Sequence, residues 1–285
     1  MHLVSFSTAD GKVRPGSLMQ EANLVVDLAS AGFADTAAVI AAGFNTTHKA
    51  GEYAKAGAYA AYKLSDVKLH APLANPPRVF GIGLNYRDHA LEAKLPLPKV
   101  PVVFFKMSTA IVGPGENIVV PKNCKQPDYE AELAFVIGKG GYRIPAAAWR
   151  EHVYGFTIVN DVSARDVQFA TSQWSLGKSF PSFCPMGPAI VTTDEIADPH
   201  ALAIGLMIDG ETLQASNTRE LIFKVPELIE YISSITPLLA GDVVSTGTPG
   251  GVGMGRTPQR WLKAGETVTV KIEGLGELVN PVVAE

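Results

Sequence analysis

Short apolar runs punctuated by Gly, Pro and Asn dominate the chain beyond residue 77. Val79 to Ile82, Val102 to Lys106, Leu133 to Ile137, Tyr154 to Val159 and Leu202 to Ile208 read as strands. Glu266 to Glu273 alternates strictly between polar and apolar residues, as a half-buried strand does. One helix stands out: Val225, Leu228, Ile229, Ile232 and Ile235 keep helical spacing, and Pro226 suits its first position. Gly241 to Gly251 then reads as a strand running into a glycine-rich loop. The first seventy residues are patterned differently. Strand-like pieces (Leu3 to Ser7, Leu24 to Leu28) surround an Asp10-Gly11 turn, and the Ala-rich stretch Thr36 to Ala42 stops at Gly43 as a short helix would. A second Ala-rich segment, Ala50 to Leu64, has helical composition but is interrupted by Gly51 and Gly57. His70 to Pro77 holds three prolines and continues neither a helix nor a central strand. The expected architecture is therefore mainly β with helices (α+β): a small N-terminal α+β domain, residues 1–72, and a sandwich- or roll-like core, residues 73–285, rather than a βαβ array.

Composition narrows the function classes. At 285 residues, 47% apolar and 18% charged, the chain is ordinary globular protein with room for one large core. A net charge of −4 gives no electrostatic reason to expect nucleic acid or an acidic membrane as partner. No apolar run approaches the roughly 20 residues that cross a bilayer, and the N-terminus lacks the pattern of a signal peptide. Two cysteines, Cys124 and Cys184, lie far apart without metal-ligand spacing, so a reducing cytoplasm is the expected location. Asn45-Thr46-Thr47 matches a glycosylation acceptor that such a chain would carry by chance.

The chemistry begins inside an apolar run. Tyr129-Glu-Ala-Glu-Leu-Ala-Phe-Val-Ile-Gly138 reads as a buried strand, yet it carries Glu130 and Glu132, which two-residue alternation points to the same side. Two unpaired buried carboxylates would each cost several kcal/mol, roughly the penalty for an ion without a partner. Asp161 closes the next strand-like run, Val153 to Asn160. Three hard oxygen donors with no His or Cys beside them suit Mg²⁺ or Mn²⁺ better than zinc. The alternative is that the glutamates face solvent on an edge strand or pair with Lys and Arg.

Other residues add to this centre. If Arg87 to Lys94 is helical, His89 and Glu92 share a face, and a carboxylate-oriented His is the usual way to activate water; an incidental surface pair is the competing reading. The proline-rich Leu95 to Pro101 suggests that this segment is hinged like a lid. Arg165, in Asn160-Asp-Val-Ser-Ala-Arg-Asp166, offers the planar fork that grips a substrate carboxylate, or else pairs with Asp166 or Asp128. Lys178 is a single cation in an apolar, turn-rich run; next to the carboxylates it would stabilise an enolate or alkoxide. Gly250-Gly-Val-Gly-Met-Gly255 is not a nucleotide loop: it opens no periodic helix and lacks the P-loop ending. Neither a Gly-x-Ser-x-Gly elbow nor a His-Glu-x-x-His pair occurs.

Taken in order, Gly83-Leu-Asn-Tyr-Arg-Asp-His89, Val112-Gly-Pro-Gly115, Tyr129-Glu-Ala-Glu-Leu133, Asn160 to Asp166, Gly177-Lys-Ser-Phe180, Phe183-Cys-Pro185 and Thr246 to Gly253 resemble the fumarylacetoacetate hydrolase family across about residues 79 to 285. The resemblance implies a mixed β-sandwich roll, usually dimeric, with Glu130, Glu132 and Asp161 holding Mg²⁺ or Mn²⁺. It implies that Lys178 faces the substrate, that His89 and Glu92 form a water-activating dyad on a lid, and that Arg165, Gln168 and Thr248 surround the pocket. Pro181-Ser182 stands where relatives commonly carry Asp-Thr, which puts substrate identity in doubt.

The expected activity is hydrolysis of a carbon–carbon bond in a 2,4-dioxo acid of the acylpyruvate type, giving pyruvate and a carboxylic acid. Decarboxylation of an oxaloacetate-type acid and keto–enol or double-bond isomerisation are the alternatives, because all three use the same enolate chemistry. The expected partners are a small 2-oxo or 2,4-dioxo acid and a second copy of the chain, with no nucleic acid and no membrane. A catalytically silent acid-binding protein is a further possibility, disfavoured by the presence of His89, Glu92 and Lys178 together.

Overall fold

The apolar run around residue 134 forms the strand Ala131–Ile137, all of it buried because both of its faces are covered. Leu133, Phe135 and Ile137 point into one hydrophobic cluster, while Ala134 and Val136 point into another. Such two-sided burial explains why the run lacks polar alternation. In the computed structural model, which describes residues 1–43, 57, 59–92 and 94–285, this strand lies in a twelve-stranded mixed sheet. Its backbone order is Ala61–Lys63, Leu24–Asp27, Val13–Met19, His2–Ser7, Cys184–Thr192, Val153–Asn160, Ala131–Ile137, Val243–Ser245, Val79–Gly83 and Val102–Lys106. A five-stranded sheet covers one face: Glu211–Asn217, Ala203–Ile208, Thr267–Ile272, Gly276–Ala284 and Ile118–Val120. Its Leu206, Val268 and Val270 share the larger cluster with Phe135 and Phe156. The protein is mainly β with helices, as the sequence pattern predicts.

The helix Val225–Ile235 packs Leu228, Ile229 and Ile232 into that cluster. It begins one residue earlier than Pro226 suggests, and the Glu227 carboxylate accepts the Lys224 backbone N–H at 2.9 Å, closing its first turn. At the other end of the chain, Asp35 caps Thr36–Ala41 through the Ala38 N–H, and Gly43 follows with φ +81°. Residues 1–72 add strands to the large sheet, with His2 opposite Val191 and Leu3 opposite Ile190. Most of the Ala-rich segment 50–64 and the Asn45-Thr46-Thr47 site lie outside the described residues; Ala61–Lys63 is strand, not helix. Among the described residues no helix is long and apolar enough to cross a membrane.

The segment after Val79–Gly83 is anchored by hydrogen bonds at its start. Asn85 donates to the Phe223 and Thr246 carbonyls, and Asp88 accepts the Ser216 hydroxyl at 2.6 Å. The helix that follows spans Arg87–Glu92, with Arg87 bonded to the Leu221 carbonyl. Beyond it Leu95, Leu97 and Val100 are exposed.

Candidate active site

Register brings the three acids together. Ala131 lies opposite Asn160, so the antiparallel pair continues with Glu130 beside Asp161, whose N–H bonds the Glu130 carbonyl at 2.9 Å. Glu130 lies one residue before the strand proper, and its backbone N–H is held by Asn160 Oδ1. Glu132 follows two residues on, facing the same side. All three carboxylates are buried, with one oxygen of each within 4.8 Å of the others.

Each acid has its own anchor. Glu130 Oε1 accepts Arg165 Nη2 at 2.6 Å, Glu132 Oε2 accepts Ser245 Oγ at 2.6 Å and the Gly247 N–H at 3.0 Å, and Asp161 Oδ1 accepts Lys106 Nζ at 2.5 Å. Lys178 Nζ bridges the other two oxygens, Glu130 Oε2 at 2.5 Å and Asp161 Oδ2 at 2.7 Å, while sitting 5.0 Å from the centre of the Phe104 ring. Burial works against the Lys178 ammonium, but Asp161 and Glu130 outweigh it and raise its pKa. Burial also opposes the Glu130 carboxylate, yet Arg165 and Lys178 hold its pKa well below the usual range. Glu132 is different. Burial, then Asp161 and Glu130, push its pKa well above the ordinary value. Four buried carboxylates (Asp128, Glu130, Glu132, Asp161) face three buried cations (Lys106, Lys178, Arg165), so the ionised cluster carries one negative charge in excess. A hard dication fits this donor set: all ligands are carboxylate oxygens, and the charge it supplies is of the sign that Glu132 lacks.

The remaining candidates converge on the same cavity. His89, Arg165, Gln168, Lys178 and Thr248 line it together with the three acids, and Glu92 stands behind His89. His89 Nδ1 lies 3.5 Å from Glu92 Oε2, and Glu92 is itself fixed by the Gly251 N–H at 3.0 Å. Burial raises the Glu92 pKa, but these two contacts more than offset it and leave it lowered. Arg165 is spoken for: Nε donates to Asp128 at 2.9 Å, Nη1 to Gln168 Oε1 at 3.0 Å and Nη2 to Glu130. Of the two internal partners open to it, the structure selects Asp128; Asp166 instead accepts the Lys125 N–H. The glycine loop keeps its donors for the protein's own acids, since Gly253 and Met254 N–H groups bond Asp128 and Gly251 bonds Glu92. A Cβ at Gly253 would lie 1.8 Å from the Arg260 carbonyl oxygen, so the loop cannot wrap Asp128 with any other residue there.

Several site residues carry no sequence signal of their own. Lys106 ends an apolar strand and reads as its surface terminus; none of its neighbours along the chain pairs it with Asp161. Trp174 packs on Gly83, where a Cβ would come within 2.3 Å of the indole, and meets Phe104 edge-on at 5.9 Å. These rings, with Leu95, Phe169 and Met254, give the cavity an apolar side opposite its charges. Pro181 is exposed and Ser182 accepts the Val119 N–H at 2.7 Å; neither lines the cavity, so the Pro181-Ser182 departure falls outside the site.

Similarity to known proteins is decisive on one point. Residues 78–283 match the fumarylacetoacetate (FAA) hydrolase C-terminal family. The chain belongs to the fumarylacetoacetate hydrolase family. A bovine (Bos taurus) relative named oxaloacetate tautomerase FAHD2A, mitochondrial, is 48% identical over 221 residues, covering 77% of this chain and 70% of the relative. The crystal structure of 5-carboxymethyl-2-hydroxymuconate delta-isomerase from Mycobacterium smegmatis superposes with a TM-score of 0.81 at 34% identity, over 100% of both chains. Maleylpyruvate hydrolase from Sphingobium sp. SYK-6, solved with manganese(II) and pyruvate, superposes with a TM-score of 0.85 at 27% identity, over 100% of this chain and 99% of that one. Three named chemistries therefore share the family fold: tautomerisation, isomerisation and hydrolysis.

Proposed function

We propose that this family member is a divalent-metal enzyme that interconverts the keto and enol forms of a short 2-oxo acid, oxaloacetate or a close relative. The observation that carries the reading is a carboxylate-backed base, His89, lining one cavity with Lys178 and three clustered acids. The 48% identity to an oxaloacetate tautomerase supports the choice of reaction. A divalent cation, Mg²⁺ or Mn²⁺, held by Glu130, Glu132 and Asp161 would supply Lewis-acid polarisation of the 2-oxo group.

The chain's own residues do the rest. His89 takes a proton from the carbon beside the 2-oxo group, and the electron pair left behind moves onto the oxo oxygen. Glu92 keeps the ring oriented and offsets the charge of the imidazolium that forms. Lys178, already held as a cation, neutralises the enolate oxygen. His89 then returns the proton to that oxygen, completing the enol, so no water is consumed and no carbon–carbon bond breaks. The Gln168 amide and Thr248 hydroxyl serve as donors to the substrate carboxylate, and Arg165 acts by positioning Glu130 and Gln168 rather than by gripping substrate.

Hydrolysis of a 2,4-dioxo acid is the second reading. It is favoured by the same dyad, which could activate water instead, and by the fold shared with a maleylpyruvate hydrolase. Enol absorbance in the near ultraviolet separates them. A tautomerase loaded with Mg²⁺ or Mn²⁺ speeds loss of the oxaloacetate enol band without releasing pyruvate; a hydrolase releases pyruvate from acylpyruvates; a decarboxylase releases CO₂ from oxaloacetate. Unaltered decay of the enol band would overturn the first reading. We also propose a homodimer, checked by light scattering. Cys124 and Cys184 are both free and buried, which fits a reducing compartment, cytoplasm or mitochondrial matrix.

A further inference from the structure

We propose that Lys106 is a positioning residue of the metal site, fixing Asp161 for the cation and holding the Lys178 segment in place. The inference rests on the reading that Glu130, Glu132 and Asp161 bind a divalent metal. Lys106 does not line the cavity, and its side chain is fully buried. Its ammonium group has three donors and three acceptors: Asp161 Oδ1 at 2.5 Å, the Val162 carbonyl at 3.3 Å and the Lys178 carbonyl. None of the three belongs to the strand that carries it or to that strand's sheet neighbour; all lie in the two segments bearing Asp161 and Lys178.

The three acids show the same device in different forms. One oxygen of Glu130 is held by Arg165, one of Glu132 by Ser245 and Gly247, and one of Asp161 by Lys106. Groups that hold a ligand's outer oxygen fix the direction of its inner one, and losing such a partner typically costs about 10- to 100-fold in metal affinity. Charge alone argues the opposite way. Removing a cation from beside the site would make it more attractive to a dication, so the two accounts differ in sign.

The test is calorimetric titration of the full chain with Mn²⁺ and Mg²⁺, comparing wild type with Lys106→Met and Lys106→Gln, alongside thermal melts. Positioning predicts affinity lowered by about 10- to 100-fold in Lys106→Met, well below its melting temperature, with Lys106→Gln intermediate because it keeps a donor. A merely structural lysine lowers the melting temperature and leaves affinity in place. Unchanged or tighter binding in a folded variant overturns the proposal, and so does failure of both variants to fold, which would assign Lys106 to the fold. A wild type that binds neither ion overturns the metal reading itself, with this inference following it.

Discussion

Around the strand His2–Ser7 the buried side chains are mostly apolar, Val4, Phe6, Leu18 and Val25 among them; Asp27 is the buried charge there, and the Arg14–Asp10 pair lies at the surface. Around the start of Ala131–Ile137, in the same sheet, four carboxylates and three cations are buried together. The first arrangement gains by removing apolar area from water. The second loses hydration of seven ions and recovers it through dense, charge-assisted hydrogen bonds, a trade that replacement by apolar residues often matches or improves. A protein keeps such a cluster for chemistry rather than for stability. Substitutions in the two regions should therefore separate function from folding.

His89→Ala gives the largest expected effect on function. Losing the general base should lower turnover by about 10²- to 10⁴-fold, with the melting temperature near that of the wild type. If the melt collapses while residual turnover per folded molecule stays high, the division between the regions fails. Phe6→Ala is the converse. It empties a fully buried aromatic site where Tyr62 packs at 5.7 Å, and should cost about 3–5 kcal/mol of stability in denaturant titrations while metal affinity and turnover of the folded fraction are kept. Lys178→Met sharpens the comparison: turnover should fall by about 10²- to 10³-fold, as when one preorganised donor is lost. With a dication bound beside Glu130 and Asp161, its effect on stability should be smaller than that of an unpaired buried charge.

The smallest effect belongs to pH. Burial, the largest influence in each case, lowers the pKa of His2 and of His70 below the ordinary 6.5. The unfolded chain then binds more protons than the folded one just below that value. The histidines' contribution to stability is fully present above about pH 6.5 and is lost as pH falls through and below it. With chelator present, wild type should lose more melting temperature than His2→Gln between about pH 7.5 and 5.5; Glu132, whose raised pKa acts with the opposite sign as its buried carboxyl takes up a proton, is common to both. A wild type that loses no more than His2→Gln on acidification would contradict the assignment.

Much of the site was legible because strand geometry is local. Glu130 and Glu132 share a side through two-residue alternation, and an acidic pair inside an apolar run is costly unless positive charge meets it. The helix Val225–Ile235 and the strand Thr267–Ile272 likewise follow from period alone. What periodicity cannot supply is pairing between distant segments. That Asp161 would lie beside Glu130 depends on the register that sets Ala131 against Asn160. That Arg165 would bind Asp128 and Glu130 depends on where the turn after Asp161 leaves its guanidinium. Lys106, the last residue of an ordinary apolar strand, becomes an ion-pair partner only when Val102–Lys106 folds against Val79–Gly83 and its end reaches Asp161. Residues 1–72 joined the sheet of the core through a backbone edge, His2–Ser7 against Cys184–Thr192, and backbone hydrogen bonds leave no side-chain pattern to read. The sequence by itself determined several core strands, the helix Val225–Ile235, the three acids and the family. Tertiary structure decided which charges meet, because a buried ion is stable only beside the partners that folding brings to it.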